Sequence, residues 1–397
     1  MKTYILAIAI GHLIFLTQLN AAGWVNKPYV EARESFRTAC DKLVKTSIAT
    51  ADSYLVPSQI DPDLTVDSCY IKADDQAEKL VILTSGIHGV EGHVGSALME
   101  QFFADILPKI DRQNTAFLLI HSLNPFGQKY NRRVTENNVD LCRNFSLSNA
   151  LFSTKNQSYA KFDDFLNHQK PVSSSVLSTV KTYTELAYYI AKYGVSDLRQ
   201  SILGGQYTFP KGLYFGGFDH EPQNGFVRSL FERYGQDVDY ILHADIHTGY
   251  GNRGQLHFFP NPIPDRLLSS FKTVFRGFEL DIPEAGGDFY ETSGDLSTFI
   301  TNLFPQKNVI SLAFEYGTNN NIETLGSIKS LQIMRLENQL HHFGGKSPED
   351  KQAISDRFKD MYNPMDPDYH KKIMEHTKEV MPIIISNFQG LQTKKSM

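Results

Sequence analysis

Four short runs of the chain are apolar at nearly every position, and longer stretches with a helical repeat separate them. Lys79 to Thr84 (KLVILT) reads as a buried strand between the charged turn Asp74-Asp75 and the pair Ser85-Gly86. Thr115 to Ile120 (TAFLLI), Tyr240 to Ile246 (YILHADI) and Val309 to Phe314 (VISLAF) have the same character. After the first run, Val94, Leu98, Phe102 and Ile106 recur every fourth residue, with Met99 and Phe103 widening the stripe, which predicts a helix. Near the end, Asp366-Pro367 supplies a cap and a proline at the first helical position. Ile373, Thr377, Val380, Met381 and Ile384 then mark the inner face of a C-terminal helix. Strands without polar alternation, spaced by helices, predict an α/β fold: a three-layer sandwich around a central mixed, largely parallel sheet.

The span from about 146 to 236 is less regular. It holds the polar stretch Pro171-Val172-Ser173-Ser174-Ser175, a helical pattern over Thr184 to Tyr193, and the glycine- and aromatic-rich strip Gln206 to Gly217. No linker bounds it on both sides, so it reads as an elaboration within one domain covering 23–397. Residues 1–22 are expected to be a signal peptide: Lys2 is the positive start, Tyr4 to Leu16 the apolar core, and Leu19-Asn20-Ala21-Ala22 the small-residue cleavage site. The apolar core falls short of the ~20 residues a membrane span requires. The expected destination is therefore the extracellular space or another compartment of the secretory pathway, the periplasm in a bacterium.

Composition excludes some partners. The 397 residues carry a formal charge of −5, and no basic cluster beyond the Lys394-Lys395 tail offers a footprint for nucleic acid. Three cysteines are too few for a disulfide scaffold. In an oxidising compartment Cys40 and Cys69 are available to pair, which leaves Cys142 free.

The chemistry concentrates at strand ends, where sheets of this kind present functional groups. The KLVILT run leads into Gly86-Ile87-His88-Gly89-Val90-Glu91-Gly92, with an imidazole and a carboxylate three residues apart in a glycine-flanked turn. Alone, such a pair is a weak signal, and a hydrogen-bonded loop histidine beside a helix-start glutamate explains it equally well. His93 is expected to face away. A second strand end, Ala244-Asp245-Ile246-His247-Thr248-Gly249, offers His247, while His243 reads as a satisfied core residue. Together His88, Glu91 and His247 make the three-ligand set of a catalytic zinc with an open position.

Between the two strand ends lie Asn124-Pro125-Phe126-Gly127, Arg132-Arg133, and Asn138-Val139-Asp140-Leu141-Cys142-Arg143-Asn144-Phe145. Here the chain resembles the zinc carboxypeptidase family, of carboxypeptidase A type and succinylglutamate desuccinylase-like. The resemblance runs in order from Lys79 to Thr318 and is closest to a branch with HGVEG, NVDLxRNF, DIHTG and FEYGT elements. It implies one zinc ion on His88, Glu91 and His247, with Asp140 orienting the first histidine. It implies Glu315 as general base, Arg133 as the group that polarises the scissile carbonyl, Arg143 as the grip on a substrate carboxylate, and Tyr290 as a tyrosine closing over bound substrate. Cys142 departs from the family pattern, where an asparagine stands beside the arginine, and a thiol donates hydrogen bonds poorly. The implied substrate is a peptide with a free C-terminus or an acylated amino acid. The implied activity is carboxypeptidase cleavage by metal-activated water, with deacylation, or binding without catalysis on the same scaffold, as the alternatives. No G-x-S-x-G elbow supports serine hydrolase chemistry.

Overall fold

The computed structural model describes residues 27–280, 294–319 and 324–393. The expected leader, residues 1–22, lies outside them. Seven strands form one sheet: β1 (Ala49–Leu55), β2 (Thr65–Ile71), β3 (Lys79–Ser85), β4 (Thr115–His121), β5 (Tyr240–Gly249), β6 (Leu256–Pro260) and β7 (Asn308–Gly317). Their order is β1-β2-β4-β3-β5-β7-β6. The four central strands β4, β3, β5 and β7 run parallel and are those that the apolar runs predict. Antiparallel strands flank them: β1 and β2 on one side, β6 on the other. The architecture is the expected layered α/β sandwich.

The helices among the described residues are α1 (Tyr29–Lys45), α2 (Gly92–Gln101), α3 (Pro125–Tyr130), α4 (Gln157–Leu166), α5 (Val176–Tyr193) and α6 (Val195–Leu203). They continue with α7 (Pro222–Gly235), α8 (Leu268–Val274), α9 (Leu296–Leu303), α10 (Thr324–Phe343), α11 (Pro348–Tyr362) and α12 (Pro367–Gln389). Both faces of the sheet are covered, which is why the central strands read as unbroken apolar runs. Val81, Leu83, Leu242 and Leu312 pack under α1, α2, α8 and α12. Leu80, Ile82, Ile241 and Val309, one residue out of phase, pack under α7 and α9. A third cluster joins the elaboration to the C-terminal helices: Tyr159, Phe162 and Leu186 meet Met334, Phe358 and Tyr362, and Val90 beside the H-x-x-E turn belongs to it.

Local signals set the element ends. Asp366 caps α12, its side chain accepting from the Asp368 backbone, and the inner stripe from Ile373 to Ile384 is buried as the periodicity predicts. The Val94–Ile106 stripe is α-helical only through Gln101, and Phe102–Ile106 widens into a π turn. Pro108 lacks the N–H that would continue the α ladder to Ala104. Helix α5 starts earlier than its sequence pattern indicates, because Ser175 accepts from the Ser178 backbone and starts the helix inside the polar stretch. The pairing of Cys40 with Cys69 is present and ties α1 to β2, while Cys142 is free and buried. Among the described residues no helix is long and apolar enough to cross a membrane.

One buried group makes stability depend on pH. His121, at the end of β4, stacks on Phe36 and lies 2.8 Å from Ser96 Oγ with no exposed surface. Burial pushes its imidazole down to about 4. An unfolded histidine titrates near 6.5, so between these values the unfolded chain binds a proton that the folded one refuses. Stability should therefore fall as pH drops from about 6.5 towards about 4, at about 1.4 kcal/mol per pH unit for this group. Denaturant titrations across that range should show a slope shallower by that amount in His121→Gln. An unchanged slope would show that His121 is not the group responsible.

Candidate metal centre

Strands β3, β5 and β7 are adjacent and parallel, so their C-terminal ends open on one edge of the sheet. The turn after β3 is held by close backbone packing. A side chain on Gly89 would bring its Cβ to 2.3 Å from the Gly127 backbone, so glycine is required there. This contact explains the Asn124-Pro125-Phe126-Gly127 motif. Asn124 accepts from the Gly127 backbone at 2.8 Å and donates to the Arg133 carbonyl at 3.1 Å. Two further bonds, from Gly89 N to the Arg133 carbonyl and from Val90 N to the Arg132 carbonyl, fasten the turn to the segment that carries both arginines.

Three side chains from these elements meet. His88 Nδ1 lies 3.0 Å from Glu91 Oε1, and His247 Nδ1 lies 3.1 Å from Glu91 Oε2. The two rings are 5.1 Å apart, and the donor atoms of all three residues lie within 4.8 Å of one another. All three residues are buried. Glu91 also accepts from the Thr248 backbone at 3.0 Å. Each imidazole has a carboxylate on its other nitrogen. Asp140 Oδ1 is 3.2 Å from His88 Nε2, a short approach but poorly aligned for a hydrogen bond, and Asp245 Oδ2 is 3.0 Å from His247 Nε2. Carboxylates behind metal-binding histidines fix the tautomer and raise ligand basicity.

Charge reinforces the arrangement. Burial alone would raise the Glu91 carboxyl, but His88 and His247 bring it down to about 2. Asp140 is likewise held well below the usual carboxylate range by Arg133 and His88, against the effect of burial. A buried carboxylate between two inward-facing Nδ1 atoms, each ring backed by an acid, fits a divalent cation. Two imidazoles and one carboxylate form a ligand set that suits zinc. Glu315 lies opposite His247 in the β5–β7 register, with Oε1 accepting from Tyr250 N at 2.9 Å. Burial pushes its carboxyl up to about 7, and His247 only partly offsets this.

Residues 26–376 match the family described as "Protein of unknown function (DUF2817)". The chain belongs to this family. No curated protein matches the sequence. Among solved structures, this DUF2817 chain is similar to carboxypeptidase A from Helicoverpa armigera, at 12% identity and a TM-score of 0.44, covering 84% of this chain and 73% of that one. It is similar to a metallo-carboxypeptidase from Pseudomonas aeruginosa in complex with (2-guanidinoethylmercapto)succinic acid, at 12% identity and a TM-score of 0.37, covering 84% and 68%. A third similar structure is the succinylglutamate desuccinylase from Chromobacterium violaceum, at 13% identity and a TM-score of 0.36, covering 80% and 77%.

The other expected site residues of this DUF2817 chain divide into three groups. Arg133 joins the cluster: its Nε donates to Asp140 Oδ2 at 3.1 Å, and its Nη1 lies 3.8 Å from Glu91 Oε1. Arg143 is buried nearby, with Nη1 donating to the Cys142 carbonyl at 2.9 Å and Nε without a partner among the described residues. Tyr290 lies outside the described residues. His93 does turn away, towards Asn131 and the Lys27 carbonyl, and His243 is a satisfied core residue between Thr84 and Ser311. The Cys142 thiol faces the His88–Asp140 pair, its sulfur and their ligand atoms lying within 4.8 Å of one another.

Asp245 is the site residue that sequence reasoning passed over. The signal was its spacing: two residues before His247 on a strand places both side chains on one face. Thr84 donates to Asp245 Oδ1 at 2.6 Å, holding the carboxylate towards His247. Replacing Asp245 with asparagine keeps the shape and removes the charge. The fold should survive while zinc affinity drops by about 10- to 100-fold, as read by titration against a competing chelator. An affinity equal to that of the wild type would reduce Asp245 to a structural role.

Proposed function

We propose that this chain is a zinc-dependent hydrolase, and specifically a metallocarboxypeptidase that removes residues from peptide C-termini. The observation that carries the reading is the placement of Glu315 directly across from His247, at the edge of a buried His88, Glu91 and His247 set. A structural acid in that position would be expected to meet a lysine or arginine, yet its hydrogen bond runs to the Tyr250 backbone.

Zinc held by His88, Glu91 and His247 would lower the pKa of a bound water to about 7. Glu315, whose carboxyl sits high for its type, accepts the proton that water loses on attacking the substrate carbonyl. It then delivers that proton to the leaving nitrogen as the C–N bond breaks, so one water and one amide become an acid and an amine. Arg133 has no hydrogen-bond partner on Nη2 among the described residues, which leaves a donor for the negative charge that develops on the carbonyl oxygen. Asp140 links the two sides of the site, holding Arg133 with one oxygen and approaching His88 with the other. Arg143 is proposed to bind the substrate carboxylate, and Tyr290 to close over the bound substrate.

Deacylation of an acylated amino acid is the second reading, and two features favour it. Cys142 supplies no amide donor beside Arg143, and one Arg143 nitrogen is already used on the Cys142 carbonyl. Both features weaken the grip on a peptide's terminal carboxylate.

The test compares wild type and Glu315→Gln on free-acid peptides, the same peptides as amides, and acylated amino acids. The wild type should prefer free-acid peptides. Glu315→Gln should keep its zinc and its melting temperature while turnover falls by ~10²–10⁴-fold. Preference for acylated amino acids would select deacylation, and near-normal turnover in the variant would remove Glu315 as the base.

A further inference from the structure

Helix α11 ends on the site. Its last two carbonyls are held by hydroxyls from the strand ends that carry the candidate residues. Thr248, next to His247, donates to the Tyr362 carbonyl at 2.7 Å, and Thr318, three residues after Glu315, donates to the Met361 carbonyl at 2.5 Å. Asn319 adds a bond to the Met361 carbonyl at 3.2 Å. Helix carbonyls at a C-terminus lack intrahelical partners, and here side chains of the catalytic edge supply them. The arrangement fixes where the final side chain of the helix must lie.

That side chain is Tyr362, which is only 5% exposed. Its ring lies flat enough against Gly249 that a Cβ there would come within 3.1 Å of Tyr362 Cε1, and Gly249 has a φ of +130°, so glycine serves both the backbone and the ring. On its other side the ring belongs to the apolar cluster with Val90, Tyr214 and Phe358. The hydroxyl accepts from Arg133 Nη1 at 3.3 Å. Arg133 is therefore gripped at two points, Asp140 at Nε and Tyr362 at Nη1, with Nη2 left over among the described residues. One anchor would let a guanidinium swing about its Cδ–Nε axis. Two anchors set its plane.

We propose that Tyr362 is a positioning residue for the hydrolytic reaction, setting the guanidinium plane of Arg133 so that Nη2 faces the substrate carbonyl. The inference rests on the hydrolase reading above. It gives the C-terminal region, which follows the last core strand, a direct part in the site: the end of α11 reaches across to the carbonyl-polarising group. An arginine held in plane before substrate arrives need not reorganise as charge develops, so the contribution belongs to turnover more than to binding.

The experiment uses Tyr362→Phe, which keeps the ring on Gly249 and removes only the hydroxyl, alongside Arg133→Ala and the double variant. With zinc content and melting temperature unchanged, Tyr362→Phe should lower kcat by about 10- to 100-fold, the range for losing a hydrogen bond to a charged group, with KM within about twofold of wild type. In the Arg133→Ala background the same substitution should cost nothing more, because its effect runs through the arginine. A crystal structure of Tyr362→Phe should show the guanidinium turned from its present plane. Where the phenylalanine variant fails to fold, 4-fluorophenylalanine at position 362, which fills the place of the hydroxyl with a poor acceptor that cannot ionise, should lower kcat in the same sense. Equal losses in both backgrounds, unchanged kcat in the single variant, or a guanidinium that stays in place would each overturn the proposal. Inactivity of the wild type on every substrate would instead sink the hydrolase reading, and the guanidinium position would still decide the role of Tyr362.

Discussion

Burying a carboxylate in a protein interior is costly unless opposite charge or hydrogen bonds meet it, and Glu91 is buried to 2% exposure. Much of the surrounding site can be read as the answer to that cost. His88, from the turn after β3, and His247, from β5, face Glu91, and Asp140 and Asp245 stand behind them. Arg133 then balances Asp140, and Tyr362 holds Arg133. Each group is placed by the one before it. A divalent cation between Glu91 and the two imidazoles would complete the charge balance of this arrangement.

The sheet makes the arrangement possible. Because side chains alternate along a strand, Leu80, Ile82 and Thr84 share a face with Ile241, His243, Asp245 and His247, and with Val309, Ser311 and Glu315 on the next strand. The face is apolar where α7 and α9 cover it and turns polar towards the C-terminal ends. From His247 a buried hydrogen-bonded series runs back through Asp245, Thr84 and His243 to Ser311. Hydrogen bonds from the central strands therefore fix the far side of His247, while its Nδ1 faces Glu91.

The central strands were legible because both faces are covered, so no polar alternation interrupts KLVILT or TAFLLI. The outer strands were not. β1 exposes Thr50 and then every second residue from Ala51 through Ser53 to Leu55, and β6 is five residues long and contains His257 and Pro260. The H-x-x-E turn, His247, Asp140 and Glu315 were legible through motif order. Asp245 was visible only to a reader who applied the two-residue strand period to the same motif. Tyr362 left no sequence signal, since its place depends on the hydroxyls of Thr248 and Thr318 catching the end of a helix remote in the chain. The part played by Cys142 could not be read either: the sequence marks a departure from the family pattern, and only the fold shows the thiol turned towards His88 and Asp140.

The central claim is that one metal ion sits among His88, Glu91 and His247. Anomalous diffraction from crystals of the purified protein, collected on both sides of the zinc absorption edge, tests it without any assumption about substrate. The account predicts a single strong difference peak within about 2.0–2.2 Å of His88 Nδ1, His247 Nδ1 and a Glu91 oxygen. No peak there after the crystals are equilibrated with zinc, or a peak at another set of residues with these three still hydrogen-bonded to one another, would contradict it.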